Sequence, residues 1–98
     1  MGNSLKSASF LIESRLAAAS LHDADTLFDL GVAYSSGTDG CEVDLVEAHK
    51  WFNLAAVSGS IRAQECRAEI SEEMTAREIV EAQRHARAWL ALNQRRAA

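Results

Sequence analysis

Proline is absent from the 98 residues, and glycine occurs only five times. Proline breaks helices and glycine weakens them, so this composition leaves helices uninterrupted. The two cysteines, Cys41 and Cys66, are too few for a disulfide framework. The apolar run Phe10–Ile12 is broken by Glu13 and Arg15, too early for a signal peptide or a membrane span. The sequence therefore predicts a helical protein without a membrane contact, and its default location is the cytoplasm.

The chain is short and mildly acidic. Its 98 residues make one small domain, which would bury roughly 60–65% of the surface of the unfolded chain. A core of that size is marginal, so a partner or a second copy would add stability. The net charge of −4 weighs against a general affinity for nucleic acid or for anionic lipid.

The charge is unevenly distributed along the chain. Residues 1–76 contain 5 Lys and Arg against 12 Asp and Glu, a net charge of −7. Residues 77–98 contain 5 Arg against 2 Glu, a net charge of +3. The basic end has two interpretations: a solvated helix whose last turns suit the helix dipole, or a contact surface for an acidic partner.

The residues that could carry catalysis are few and scattered: His22, Cys41, His49, Cys66 and His85. Cys66 falls in an apolar stripe and is predicted to lie in the core, whereas Cys41 falls in a loop that is expected to be exposed. His49 is predicted on the outward part of a helix. A nucleophilic enzyme needs a nucleophile beside a base, and zinc needs several ligands at short spacing. Neither pattern is present, so we expect no enzyme, no metal and no cofactor.

The most informative stretch of the chain runs from Leu30 to Gly59. Small and large apolar residues recur there at helical spacing, first in one helix and then, after a loop, in a second helix that ends at a glycine. The positions that form the pattern are Leu30, Gly31, Tyr34, Gly37, Asp44, Ala48, Trp51, Ala55, Ala56 and Gly59. Because small side chains let two helix backbones approach closely, the pattern predicts an αα-hairpin with Gly31 facing the second helix.

These residues, in this order, resemble the Sel-1-like repeat, a relative of the tetratricopeptide repeat. The match runs from Asp23 to about Gln64 and covers a little under half of the chain. The loop at 37–43 departs from the family, because it is one residue longer and lacks the usual Val-Pro, and Thr26 stands where Ala is commoner. The segment from Glu73 onward resembles the end-capping helix of bacterial members.

The resemblance implies an all-α fold, a short α/α solenoid of about five helices in a single domain. Residues 4–21 would form a half-repeat helix, residues 23–59 a complete repeat, and residues 60–97 a terminal half repeat with a capping helix. It also implies a protein-interaction module rather than an enzyme. Two alternatives stay open: a structural protein that pairs with a second copy, and a relative that binds or hydrolyses a small molecule.

Local signals predict where the helices begin and end. Asp23 is a predicted N-cap, Asp44 and Glu47 a capping-box-like pair, and Thr75 with Glu78 a clear capping box. Gly37 and Gly59 are predicted to stop the two helices of the hairpin. Leu27, Leu30 and Tyr34 form the expected buried stripe of the first helix, and Trp51 faces inward from the second.

The candidate partner-binding surface follows from acidic residues that recur on matching turns. In stacked helical hairpins the first helix of each pair lines the concave side. The residues assigned to this surface are Asp25, Asp29, Val32, Ser36, Arg62, Glu65 and Glu69. We expect a shallow acidic groove for a protein or peptide segment, and the alternative is an ordinary solvated face.

Overall fold

The computed structural model describes residues 23–38 and 40–97. These residues contain four α-helices joined by short loops. They are α1 (Ala24–Ser36), α2 (Leu45–Val57), α3 (Ile61–Ser71) and α4 (Ala76–Ala97), and these residues contain no strand. The all-α prediction is therefore confirmed. The helix predicted over residues 4–21 lies outside the described residues.

Helix α1 begins and ends where the sequence indicates. Asp23 Oδ1 accepts hydrogen bonds from the backbone N–H groups of Asp25 at 3.2 Å and of Thr26 at 3.3 Å. The Thr26 hydroxyl donates to Asp23 Oδ2 at 2.7 Å, and this bond is the main reason that the pKa of Asp23 is lowered. Gly37 ends the helix with a φ of 72°, a left-handed conformation that glycine adopts without strain.

The caps of α3 and α4 are also formed by local hydrogen bonds. Gly59, with a φ of 111°, separates α2 from α3, and Ser60 Oγ then accepts from the Ala63 N–H at 3.1 Å. At the start of α4 the capping box is reciprocal. The Thr75 N–H donates to Glu78 Oε1 at 2.8 Å, and the Glu78 N–H donates to Thr75 Oγ1 at 3.1 Å.

The start of α2 differs from the predicted capping box. Asp44 Oδ1 accepts from the Glu47 N–H at 3.2 Å, as expected for an N-cap. The Asp44 N–H, which a capping box would offer to Glu47, donates instead to the carbonyl of Tyr34 at 2.9 Å. The Glu47 carboxylate pairs with Lys50 at 3.1 Å. The box is half formed because the loop is tied back to the end of α1.

The α1–α2 hairpin packs through a close contact at Gly31. A Cβ at this position would lie 2.5 Å from Cε1 and 2.8 Å from Cγ of the Phe52 ring. Leu27, Leu30 and Tyr34 are buried on the same side of α1, so the predicted stripe is confirmed. Gly31 weakens the helix intrinsically, and the space it leaves is filled by the ring of the neighbouring helix.

Helix α2 is the centre of the described fold, because α1, α3 and α4 all pack against it. Six of its thirteen residues are buried: Ala48, His49, Trp51, Phe52, Leu54 and Ala55. Trp51 is 1% exposed and meets Trp89 of α4 edge-on, with ring centroids 5.5 Å apart. Ala82 and Ala86 of α4 are buried, and their small side chains let α4 lie close to the core.

The prediction that His49 lies on the outward part of α2 is wrong. Its side chain is 3% exposed. The prediction assumed a helix with one buried face, whereas α2 is covered by three helices and retains only a narrow exposed strip. Burial lowers the pKa of His49, and the positive charge of Arg67 on α3 lowers it further.

The predicted environment of Cys41 is wrong, and that of Cys66 is confirmed in part. Cys41 was expected in an exposed loop and is 7% exposed, packed into the hydrophobic core. The loop turns inward because the Cys41 N–H donates to the Thr38 carbonyl at 3.1 Å and Gly40 adopts a φ of 79°. Cys66 was expected in the core and is only half-buried at its edge.

Candidate partner-binding surface

The α1 residues assigned to the candidate surface share one exposed face. Asp25, Asp29, Val32 and Ser36 are all exposed and follow each other at intervals of three or four residues. They lie opposite the buried stripe of α1. The sequence therefore placed this half of the surface on the solvent side of the helix, and Val32, 37% exposed, is its apolar member.

The two ends of the α1 face differ in their chemistry. Among the described residues, neither Asp25 nor Asp29 forms an ion pair, so both carboxylates face solvent without a cationic neighbour at salt-bridge distance. The Ser36 hydroxyl, by contrast, donates to the Val32 carbonyl at 2.6 Å and lies 3.3 Å from the Thr38 hydroxyl. The Ser36 hydroxyl is thus hydrogen-bonded within the chain at the C-terminal end of α1. The carboxylates of Asp25 and Asp29, nearer the N-terminal end, are the groups available to a partner.

The α3 residues assigned to the surface, Arg62, Glu65 and Glu69, are exposed as well. α1 and α3 touch, and the contact includes Arg62, whose guanidinium carbon lies 5.5 Å from the centroid of the Phe28 ring on α1. A guanidinium over an aromatic ring is a favourable cation–π arrangement. Phe28 is half-buried and packs with its ring 5.6 Å from that of Phe52, at 47°.

We define the α1–α3 surface as Asp25, Phe28, Asp29, Val32, Ser36, Arg62, Glu65 and Glu69, all of them exposed except the half-buried Phe28. It carries four carboxylates against one guanidinium. The other arginine of α3, Arg67, donates a hydrogen bond to Asn53 of α2 and is partly buried, so it does not offset this charge at the surface. The surface is thus acidic, with an aromatic ring at the junction of its two helices.

Sequence reasoning did not anticipate the stack of Arg62 on Phe28. Arg62 was assigned to the candidate surface, whereas Phe28 was not among the residues predicted for it. The available signal was the combination of an aromatic residue at the edge of one helix and an arginine near the start of another. Residues that far apart in sequence meet only through the packing of α1 and α3 on α2.

A second exposed region runs along the outer side of α4. A depression there is lined by Ala76, Arg77, Val80, Glu81, Arg84 and His85. Its charges are mixed, and His85 Nε2 lies 3.8 Å from Glu81 Oε1 one turn before it. With two arginines against one glutamate this lining is mildly basic, whereas the α1–α3 surface is acidic.

The described residues contain neither a metal-binding cluster nor a membrane-spanning helix. In residues 23–38 and 40–97, no group of three or more His, Cys, Asp or Glu side chains is arranged to hold a metal ion. His49 Nδ1 is buried without a hydrogen-bond partner among these residues. Over the same residues, none of the helices combines the length and the apolarity needed to cross a bilayer.

Comparisons of the chain with models of protein families, with curated proteins and with solved structures return no match.

Proposed function

We propose that this chain is a Sel-1-like repeat module, a short α/α solenoid of about five helices, that binds a protein or peptide segment through its α1–α3 surface. The spacing of Leu30, Gly31, Tyr34, Trp51 and Gly59 supports the repeat assignment. The close contact of Gly31 with Phe52 is the kind of approach that this spacing requires. The predicted half-repeat helix at residues 4–21, the fifth of this proposal, lies outside the described residues.

One observation carries the binding proposal. Helices α1 and α3 meet at Phe28 and Arg62, so exposed residues of both helices lie on either side of this contact. The α1–α3 surface combines an aromatic ring with unpaired carboxylates. Aromatic residues and Arg are the types enriched where protein partners bind. A partner bound there would add the buried surface that a chain of 98 residues has little of.

We propose binding rather than catalysis because the side chains of this surface are carboxylates, a phenyl ring, a hydroxyl and a guanidinium without a nucleophile poised beside a base. Its acidic character would repel nucleic acid and anionic membranes, so the proposed partner is a protein and the proposed location is the cytoplasm.

The test is a comparison of captured proteins between three forms of the chain. The first is the wild type. The second carries Asp25→Lys, Asp29→Lys and Glu69→Lys on the α1–α3 surface. The third, a matched control, carries Arg84→Glu and Arg87→Glu on the exposed side of α4. All three should keep their helical circular dichroism, since surface substitutions rarely change stability by more than about 0.5 kcal/mol each.

We expect a specific partner to be retained by the wild type and the α4 control and to be lost by the α1–α3 variant. The opposite pattern, with loss only in the α4 control, would move the binding site to α4 and refute the proposed surface.

A second candidate function is self-association. The turn between α2 and α3 exposes Val57 (68%) and Ile61 (73%), two large apolar side chains on either side of Gly59. Two copies could cover them against each other. Sedimentation equilibrium of the wild type and of the double variant Val57→Ser with Ile61→Ser separates the two functions. If the chain self-associates, the wild type has a larger mass than the variant, and otherwise the two masses agree.

A further inference from the structure

Phe28 and Arg62 form an unusual pair for an acidic surface. The guanidinium of Arg62, an exposed side chain, lies 5.5 Å from the centroid of the half-buried Phe28 ring. Of the five charged residues on the α1–α3 surface, Arg62 is the single cation. Its stacking places this one positive charge on the aromatic ring at the junction of α1 and α3.

Exposed carboxylates lie within one turn of that contact on both helices. Asp25 and Asp29 lie three residues before and one residue after Phe28 on α1, and Glu65 lies one turn after Arg62 on α3. Val32, one turn beyond Phe28, continues the apolar part of the same helix face. An aromatic ring attracts a cation through its quadrupole, and the carboxylates on the same two helices attract it through charge.

We propose that the segment bound by the α1–α3 surface is basic and amphipathic, that it places an Arg or Lys over Phe28, and that Arg62 holds this position until the segment displaces it. The inference rests on the proposed function and adds the chemistry of the partner and the role of Arg62. Arg62 is thus an internal competitor, which both covers the ring and lowers the negative charge that attracts the partner.

The charge of the surface selects this occupant over others. A basic segment gains attraction from four carboxylates, whereas an acidic segment or a nucleic acid would meet like charge. The partner's apolar side chain would lie beside Val32, where it removes an exposed hydrophobic group from water. The interaction should weaken as salt rises, because the carboxylates are exposed and therefore screened.

The test uses a short synthetic helix with Arg and Lys on either side of one Leu, labelled for fluorescence anisotropy. Two matched peptides replace every Arg and Lys by Gln or by Glu. The protein variants are Arg62→Gln, Phe28→Leu, and Asp25→Asn with Asp29→Asn, and the control is Arg84→Gln on the exposed side of α4. Circular dichroism confirms that each variant is folded.

We expect the basic peptide to bind and the Gln and Glu peptides not to bind. Arg62→Gln should tighten binding about two- to five-fold, because it removes a like charge and uncovers the ring. The double Asn variant should weaken it by about the same factor or more, and Phe28→Leu should weaken it roughly two- to five-fold through the lost cation–π contact. Arg84→Gln should leave the affinity unchanged.

Several results would overturn the inference. Equal binding of the Gln peptide removes the requirement for a basic segment. Unchanged or weaker binding by Arg62→Gln removes its role as competitor, and this variant stays informative even if Phe28→Leu fails to fold. Loss of peptide binding as the protein concentration rises, together with a rise in sedimentation mass, would identify a second copy as the occupant instead.

The outcome is distinguishable from a failure of the proposed function. If a captured protein depends on Asp25, Asp29 and Glu69 but the basic peptide does not bind, the surface stands and the partner chemistry is wrong. If capture does not depend on these carboxylates, the surface itself is wrong.

Discussion

The ring of Phe52 occupies the space that a side chain at Gly31 would need. A Cβ at Gly31 would lie 2.5 Å from one ring carbon and 2.8 Å from another, well inside van der Waals contact. Phe52 is 1% exposed and lies against Phe28 as well, so its ring has little room to move. The absence of a side chain at Gly31 is thus what sets the distance between α1 and α2.

Gly31→Ala should destabilise the protein by about 1–3 kcal/mol, because overpacking outweighs the gain in helix propensity. Thermal or urea unfolding measures this directly. Asp29→Ala, at an exposed interior position of the same helix, is the control for propensity and should stay within about 0.5 kcal/mol of the wild type. In a Phe52→Leu background the penalty for Gly31→Ala should shrink, and an equal penalty in both backgrounds would contradict the contact.

Trp51→Ala should lower the free energy of unfolding by about 3–5 kcal/mol, more than Gly31→Ala does. The Trp51 side chain is 1% exposed and fills the space between α2 and Trp89 of α4. Trp51→Phe should cost clearly less. Trp51 Nε1 is buried without a hydrogen-bond partner among the described residues, so replacing the indole removes no hydrogen bond. Trp89→Ala, at a half-buried position, is the comparison and should fall below Trp51→Ala.

Stability should decrease as the pH falls below about 6.5, owing to His49. Burial, together with the charge of Arg67, lowers the pKa of His49 in the folded protein below its ordinary value of 6.5. The unfolded chain therefore takes up a proton in a pH range in which the folded chain does not, and the free energy of unfolding decreases there. Above that range both states are neutral and His49 has no effect.

Urea unfolding tests this prediction when it is measured at a series of pH values, from neutral down to the range in which carboxylates become protonated. His49→Gln should remove the decrease just below pH 6.5, even if the variant is less stable overall. His85→Gln is the matched control, because it removes an exposed imidazole from α4. A wild type with constant stability across that range would show that His49 is not the group responsible.

Both thiols should react slowly in the native protein, for different reasons. Cys41 is 7% exposed, so reagent reaches it only when the loop opens. Cys66 is half-buried, and burial followed by the nearby charge of Glu69 raises its pKa, which lowers the fraction of reactive thiolate.

Titration with a thiol reagent at mildly alkaline pH should count two reactive thiols in denaturant. Without denaturant, both cysteines should be labelled slowly. The single variants Cys41→Ala and Cys66→Ala assign the two rates. Glu69→Gln should speed the labelling of Cys66 and leave that of Cys41 unchanged. Fewer than two thiols in denaturant, which would indicate a bridge, contradicts the prediction.

The sequence by itself determined where the described helices begin and end. Asp23, Gly37, Ser60 and Thr75 act through hydrogen bonds or backbone conformations within a few residues of themselves. Such signals need no knowledge of the rest of the chain, so they are readable in the sequence. The exposed face of α1 was predictable for a similar reason, because the spacing of its apolar residues fixes which side is buried.

Only the tertiary structure decided the environments of His49, Cys41 and Cys66 and the stack of Arg62 on Phe28. The sequence pattern of α2 suggests one buried face, but three helices pack on it, so His49 is enclosed. Burial of a given side chain depends on how many neighbours surround its helix and at what angle they cross. Those quantities follow from contacts between residues far apart in the chain, which no local spacing encodes.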